Sequence, residues 1–276
     1  MRPDRIARRW SIMALMLMGW IPLVFLISVS FQTFHGATLK VYMLTSWHPT
    51  FANYRALLTG LPVVRWLFNT FAVSTICGLG AMTIALVGGF ALATMRVSWL
   101  RMAVIGLLIF ASAVPVVAVV VPAYVLTHYT GLSGIPAVLL RGMATPEAML
   151  IADRYIRGLP RDLLDAARID GVSELGVMFR VAAPLSTSLM AYTVVGAAAG
   201  NCVDVYWPAL QLRARNTLTL AVGLTNLVRG YVGSLGNESF LGTGMAAGVI
   251  MFLPAVVIFI IGARYFIDGF EGGLKG

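Results

Sequence analysis

Two groups of residues have types and spacings that could do chemistry. The first is Asp165-Ala166-Ala167-Arg168-Ile169-Asp170-Gly171, followed after nine further residues by Val181-Ala182-Ala183-Pro184. Its carboxylates and arginines can pair with opposite charges, while Ala166, Ala167 and Gly171 admit another backbone at close range. The second group is Arg141, Glu147, Asn201 and Asp204, polar groups in or near long apolar stretches. A charge at the centre of a membrane helix costs about 2.5–3.5 kcal/mol on insertion scales, so each must face protein, water or a partner charge. Arg141 and Glu147 stand six apart, a spacing that does not stack them on one helix face. The amide of Asn201 can both donate to and accept from a hydroxyl. These four residues are the expected lining of a polar path through an apolar layer, with polar packing between helices as the alternative.

Catalysis finds little support. No G-x-x-x-x-G-K-S/T phosphate loop occurs, so nucleotide is not held here in the P-loop manner. His35, His48 and His128 show no metal-ligand spacing. Cys77 and Cys202 lie in apolar runs without ligand spacing and read as small buried hydrophobes. No serine, histidine and acid can be grouped into a triad from residue order. The expectation is no catalytic residue, no metal and no cofactor in this chain.

The elements that must position these residues follow from composition. Of 276 residues 59% are hydrophobic and 11% charged, where an average soluble domain carries about 25% charged residues. Runs free of Asp, Glu, Lys and Arg extend over Ser11–Ser30, Leu67–Thr94, Met102–Thr127, Val181–Cys202 and Leu241–Ala263, and about 20 residues suffice to cross a bilayer as a helix. A sixth span, from Ile135 to about Ile151, is interrupted by Arg141 and Glu147. The expected fold is an all-α membrane protein of six transmembrane helices, one domain over residues 1–276. The +9 net charge is a topology signal, not a nucleic-acid signal. Arg2, Arg5, Arg8, Arg9, Arg96, Arg101, Arg154, Arg157, Arg161, Arg168, Arg180, Arg264 and Lys275 fall on one side of the six spans, which places both termini in the cytoplasm. The first apolar run exceeds a usual signal core, so it is expected to remain as a span.

Between the fourth and fifth spans, residues 153–184 turn polar while helical periodicity persists. Ile156, Leu159, Leu163, Ala166 and Ala167 recur at helical spacing, Asp170-Gly171 supplies a break, and a second amphipathic stretch runs from Ser173 to Pro184. The segment reads as helix, sharp turn, helix on the cytoplasmic face. Pro115 and Pro122 are expected to bend the third span.

The acidic residue, two alanines, glycine and proline at these spacings, with the lead-in Leu159-Pro160-Arg161-Asp162-Leu163-Leu164, resemble the cytoplasmic signature loop of binding-protein-dependent ABC importer permeases. Asp165 stands where glutamate is usual, and Ala183 where leucine is usual. Asn53-Tyr54, Thr217-Leu218-Thr219-Leu220-Ala221-Val222-Gly223 and the tail Phe266 to Gly276 are similar to the carbohydrate-uptake, maltose-type second permease group. The Trp-Asn pair usual at the end of the fifth span stands here as Gly200-Asn201. The resemblance implies the type I ABC importer permease fold, with a coupling loop in which Asp165, Ala166, Ala167, Asp170 and Gly171 meet an ATPase. It also implies a second permease subunit, two ATP-binding subunits that hold ATP and Mg, an extracellular solute-binding protein, surrounding lipid, and a bacterial inner-membrane location. The implied solutes are sugars, polyols or glycerol-phosphate compounds.

Two rival functions predict other features. A secondary transporter driven by ions through Glu147 and Asp204 would show paired or inverted halves, and no such repeat is visible. A membrane enzyme would cluster catalytic groups at one interface, and none is evident.

Overall fold

A computed structural model describes residues 3–32, 49–232 and 240–273. His35, His48, Lys40, Lys275 and the last residues of the tail lie outside the described residues, as does much of the loop after the first span. All regular structure among the described residues is helical.

The apolar runs become helices because nothing else satisfies their backbone groups in lipid. α1 (Pro3–Ser30) is 28 residues long and leads to the short α2 (Ala52–Gly60). α3 (Val63–Thr94) is long and apolar enough to cross a membrane. α4 (Ser98–Ala113) and α5 (Val116–Tyr129) form a pair bent by 104°. α6 (Ile135–Met143) and α7 (Pro146–Arg157) together make a 23-residue apolar stretch of spanning length. After the polar segment come α8 (Arg161–Ile169), α9 (Glu174–Val177), a π-helical turn at Met178–Ala182 and α10 (Ala183–Leu185). α11 (Thr187–Val203) continues that line after a bend of 81°. α12 (Tyr206–Gln211), α13 (Leu220–Val232) and α14 (Phe240–Gly273) complete the order, and Leu241–Gly262 within α14 is again long and apolar enough to span. Three stretches of spanning length and two bent pairs give up to five crossings among the described residues, and α1 adds a shorter apolar stretch, Met16–Ser30, where the first of the six expected spans falls.

The breaks have local causes. Val114 precedes Pro115 and is extended, at φ −73° and ψ 124°, as the proline ring demands of its predecessor. Pro122 lies inside α5 without ending it, so the interruption comes from Pro115 alone. The stretch from Ile135 to Arg157 is interrupted at Ala144 and Thr145, both non-helical. Thr145 and Ser186 stand immediately before α7 and α11 without the usual cap hydrogen bond, and their hydroxyl oxygens are buried without a partner among the described residues. A good cap contributes about 1 kcal/mol, so these two helix starts do without that contribution and rely on packing and on backbone bonds to the Thr145 and Ser186 carbonyls.

The chain forms two compact units, Met1–Arg65 with Gly223–Leu253, and Trp66–Val222 with Pro254–Gly276. In the first, Asn53 ties α1 to α2: its Nδ2 donates to the carbonyls of Ser30 at 3.0 Å and Gln32 at 2.8 Å. Its Oδ1 accepts from Thr243 Oγ1 at 3.3 Å, and Ser30 Oγ lies 2.7 Å from Tyr54 Oη. In the second unit the stretch ahead of α13 is held by α3. Asn69 Nδ2 donates to the carbonyls of Asn216 and Leu218 at 2.8 and 2.9 Å, and Leu220 N donates to Thr70 Oγ1 at 2.8 Å. Asn53 and the Thr217–Val222 run thus act as fasteners of backbone.

Candidate functional site: a protruding helical turn and a polar seam

α8 is a short helix of nine residues. Pro160 precedes it, Asp162 sits in its first turn and Arg168 in its last, signs that suit the helix dipole. Its end is a Schellman turn. Gly171 has φ +80°, Val172 N donates to the Ala167 carbonyl at 3.1 Å and Gly171 N to the Arg168 carbonyl at 3.0 Å. A residue with a Cβ pays about 1–2 kcal/mol for that left-handed backbone, which accounts for glycine here. α9 then starts on Ser173, whose Oγ accepts from Gly176 N at 3.3 Å.

The turn is seated on a buried apolar cluster of Leu86 and Phe90 from α3, Ile156, Leu164, Val177, Met178, Ala182 and Ala183, with Leu159, Ala167 and Val172 packed against it. Removing a side chain such as Leu164 from a core of this kind costs about 2–5 kcal/mol. The expected apolar face is therefore corrected: Ile156, Leu159 and Ala167 face the cluster, but Leu163 and Ala166 are exposed and Leu164 takes the inner position.

Of the expected coupling residues, Asp165, Ala166, Asp170 and Gly171 lie on the outer surface of the turn, while Ala167 is half-buried. Sequence reasoning missed Ile169, 86% exposed at the tip, and Leu175, also exposed. An isoleucine left bare beside a glycine turn is the signal that was available. Arg168 clamps the two helices together. Its Nε and Nη2 donate to the Glu174 carboxylate at 2.9 and 3.2 Å, and its Nη1 donates to Asp165 Oδ1 at 2.8 Å. The guanidinium is pushed above its ordinary range by the hydrogen bond to Glu174 first, against partial desolvation, with Asp165 adding to it. Asp165 is thus already paired inside this chain.

The π-helical turn follows directly. Ala183 N donates to the Met178 carbonyl, five residues back, and this wide turn carries the chain from the α8–α9 segment toward α11.

The second group of polar residues is partly gathered. Arg141 Nη1 lies 3.9 Å from Asp204 Oδ2, and its guanidinium sits 5.7 Å from the Trp207 ring centre. Trp207 is buried and donates Nε1 to the Ala137 carbonyl at 3.0 Å. Asp204 Oδ1 accepts from Tyr206 N at 3.0 Å. Asn201 donates both amide hydrogens to backbone, to Gly142 O at 3.2 Å and Ala197 O at 2.8 Å. A Cβ on Gly142 would run into Cys77 Sγ and Asn201 Oδ1, so side chains of α3 and α11 press directly on the α6 backbone there. Glu147 stands apart, exposed in the first turn of α7 beyond the Ala144–Thr145 break. The seam therefore joins Arg141, Asn201 and Asp204 and leaves Glu147 out.

A third polar contact was not foreseen. Asp153, 1% exposed, receives Arg101 Nη2 on both oxygens at 2.9 and 2.7 Å, and Arg157 Nε lies 3.5 Å from Oδ1. Arg101 Nε also donates to the Leu92 carbonyl at 3.1 Å. The pair joins α3, α4 and α7.

Residues 85–271 match the family described as binding-protein-dependent transport system inner membrane component. The arabinooligosaccharides transport system permease protein AraQ of Bacillus subtilis (strain 168) is 30% identical over 236 residues, 82% of this chain and 79% of that protein. The galactooligosaccharides transport system permease protein GanQ of the same organism is 28% identical over 263 residues, 92% of this chain and 90% of that protein. A crystal structure of a bacterial ABC transporter involved in the import of the acidic polysaccharide alginate is similar in fold, with a TM-score of 0.74 at 19% identity, covering 96% of this chain and 98% of that one.

Proposed function

This chain belongs to the family of inner membrane components of binding-protein-dependent transport systems, and from that premise we propose that it imports a carbohydrate as one of two permease subunits driven by separate ATPases. In this reading an extracellular binding protein delivers the solute, and two partner subunits hold ATP and Mg. Both termini lie in the cytoplasm, as the distribution of arginines supports. Residues 1–276 work as one permease domain.

The observation that carries the coupling role is the seated, exposed turn from α8 through Gly171 to α9. Its inner face is fixed by Leu164, Ala167 and Val172 in the apolar cluster. Its tip presents Ile169, Asp165, Ala166 and Asp170 outward, and a Cβ at Gly171 would meet nothing of this chain within 4 Å. A rigid knob with an apolar tip and small shoulders fits a cleft on a partner. Asp165, Ala166, Asp170 and Gly171 make the contact, while Ala167 sets the height of the knob.

The carbohydrate assignment is supported by the oligosaccharides named for the two relatives. The solute path runs beside α6 and α11, where Arg141 and Asp204 remain partly exposed. Asn201 fixes the spacing of those two helices, and Glu147 lies nearer the cytoplasmic side of the same path.

The test is purification of the chain with its co-expressed neighbours, followed by reconstitution in liposomes. Co-elution of an ATPase and ATP-dependent uptake of an oligosaccharide in the presence of the binding protein are the expected results. Uptake by this chain alone, driven by an ion gradient, would overturn the reading.

A further inference from the structure

We infer that Arg101 and Asp153 are a positioning pair that makes the α3–α4 turn move with the coupling helix. The inference rests on the importer reading above and goes beyond it, since neither residue lies on the docking surface or in the polar seam.

Arg101 belongs to the first turn of α4, yet its side chain holds three helices. Nε donates to the Leu92 carbonyl near the end of α3, and Nη2 donates to both carboxylate oxygens of Asp153 on α7. Asp153 is enclosed, and among the described residues the other charge paired with it is Arg157, one turn along the same helix. At this level α3 and α7 touch through backbone: a Cβ on Gly89 would meet Ala152 and come within 3.0 Å of Asp153 N. Only Gly158, Leu159 and Pro160 separate α7 from α8, and Leu164 and Ala167 of α8 pack in the same cluster as Leu86 and Phe90 of α3. A push on α8 therefore reaches α3 by packing and reaches α4 through the ion pair.

Stability alone does not call for charges at this place. Well-packed apolar residues of similar volume commonly replace a buried ion pair with no loss of stability. What the charged pair supplies is direction, since a planar guanidinium on a carboxylate fixes angle and register where an apolar contact allows sliding.

The experiment uses the assembled transporter, with its ATPase subunits and binding protein, in liposomes. The double variant Arg101→Met/Asp153→Leu keeps volume and takes a partner only from Arg157, whose side chain is 41% exposed and can be solvated, and Arg101→Lys keeps the charge but loses the planar fork. The double variant is expected to assemble with a melting temperature no lower than wild type, while solute moved per ATP hydrolysed falls about fivefold or more. Arg101→Lys is expected to fall between the two. A double variant that moves the wild-type amount of solute per ATP would overturn the inference. So would one that fails to assemble, because the pair would then serve stability. A wild-type complex whose ATPase ignores the binding protein would remove the importer reading and this inference with it, whereas a stimulated wild type beside a fully coupled double variant removes the inference alone.

Discussion

Arg168 reaches across the Gly171 turn and holds the carboxylate of Glu174 with two nitrogens, at 2.9 and 3.2 Å. The pair spans the one left-handed residue of the loop and sets the angle between α8 and α9. Both partners are substantially exposed, and exposed pairs contribute about 0.2–1 kcal/mol. Arg168→Ala or Glu174→Gln is therefore expected to leave folding within about 1 kcal/mol of wild type and to weaken binding-protein-stimulated hydrolysis in the complex. High salt should weaken the wild-type response in the same direction. Unchanged stimulation in both variants would assign the pair to the solvated surface.

Gly171 offers a way to separate backbone strain from docking bulk. Asparagine tolerates the left-handed region and valine does not. Because a Cβ would find open space on this chain, Gly171→Asn should preserve the turn while filling the partner's side of the contact. Gly171→Val should distort the turn as well. Membrane insertion is expected to be normal in both, with ATPase association reduced in Asn and reduced further in Val. Normal association in Gly171→Asn would show that the partner leaves room there.

Asn201→Ala removes two hydrogen bonds between α11 and the backbone of α6 and α11. Its main consequence is expected to be lower stability of the assembled transporter, by about 1 kcal/mol for the partly buried Gly142 carbonyl that loses its donor. Glu147→Gln should assemble normally and lower uptake if the path passes that face of α7. Full uptake in Glu147→Gln would take this residue out of the path.

The isolated chain is expected to show no ATP turnover, since no phosphate loop is present in the sequence. Hydrolysis should appear on adding the ATPase partner and rise with the loaded binding protein. Turnover by the purified chain, free of contaminants, would contradict the division of labour proposed here.

The spans were legible because lipid tolerates so few charges that their absence marks a helix. The Gly171 turn was legible because glycine is the residue that left-handed backbone favours. Other features depend on tertiary distance. Asp153 stands in a run of charges and looks solvated, and the arginine that buries it is 52 residues away. Leu163 and Leu164 are neighbours, and periodicity alone does not decide which faces inward; the cluster chose Leu164. Pro115 announced a break but not its 104°, and the interruption at Ala144–Thr145 that detaches Glu147 from Arg141 carries a proline only at its far side, Pro146.

The π-helical turn at Met178–Ala182 gives chain length itself a directional meaning. A π turn closes its hydrogen bond one residue later than an α turn, so deleting a single residue there would let the helix close in the ordinary way. Each α-helical residue advances the chain by about 100° around the axis, and the wide turn absorbs one residue that an unbroken α-helix would have to express as that rotation. Substitutions in the loop change what the knob touches, but a residue removed from the regular part of α11 would aim an unaltered knob away from its partner, where one removed from the π turn would be absorbed.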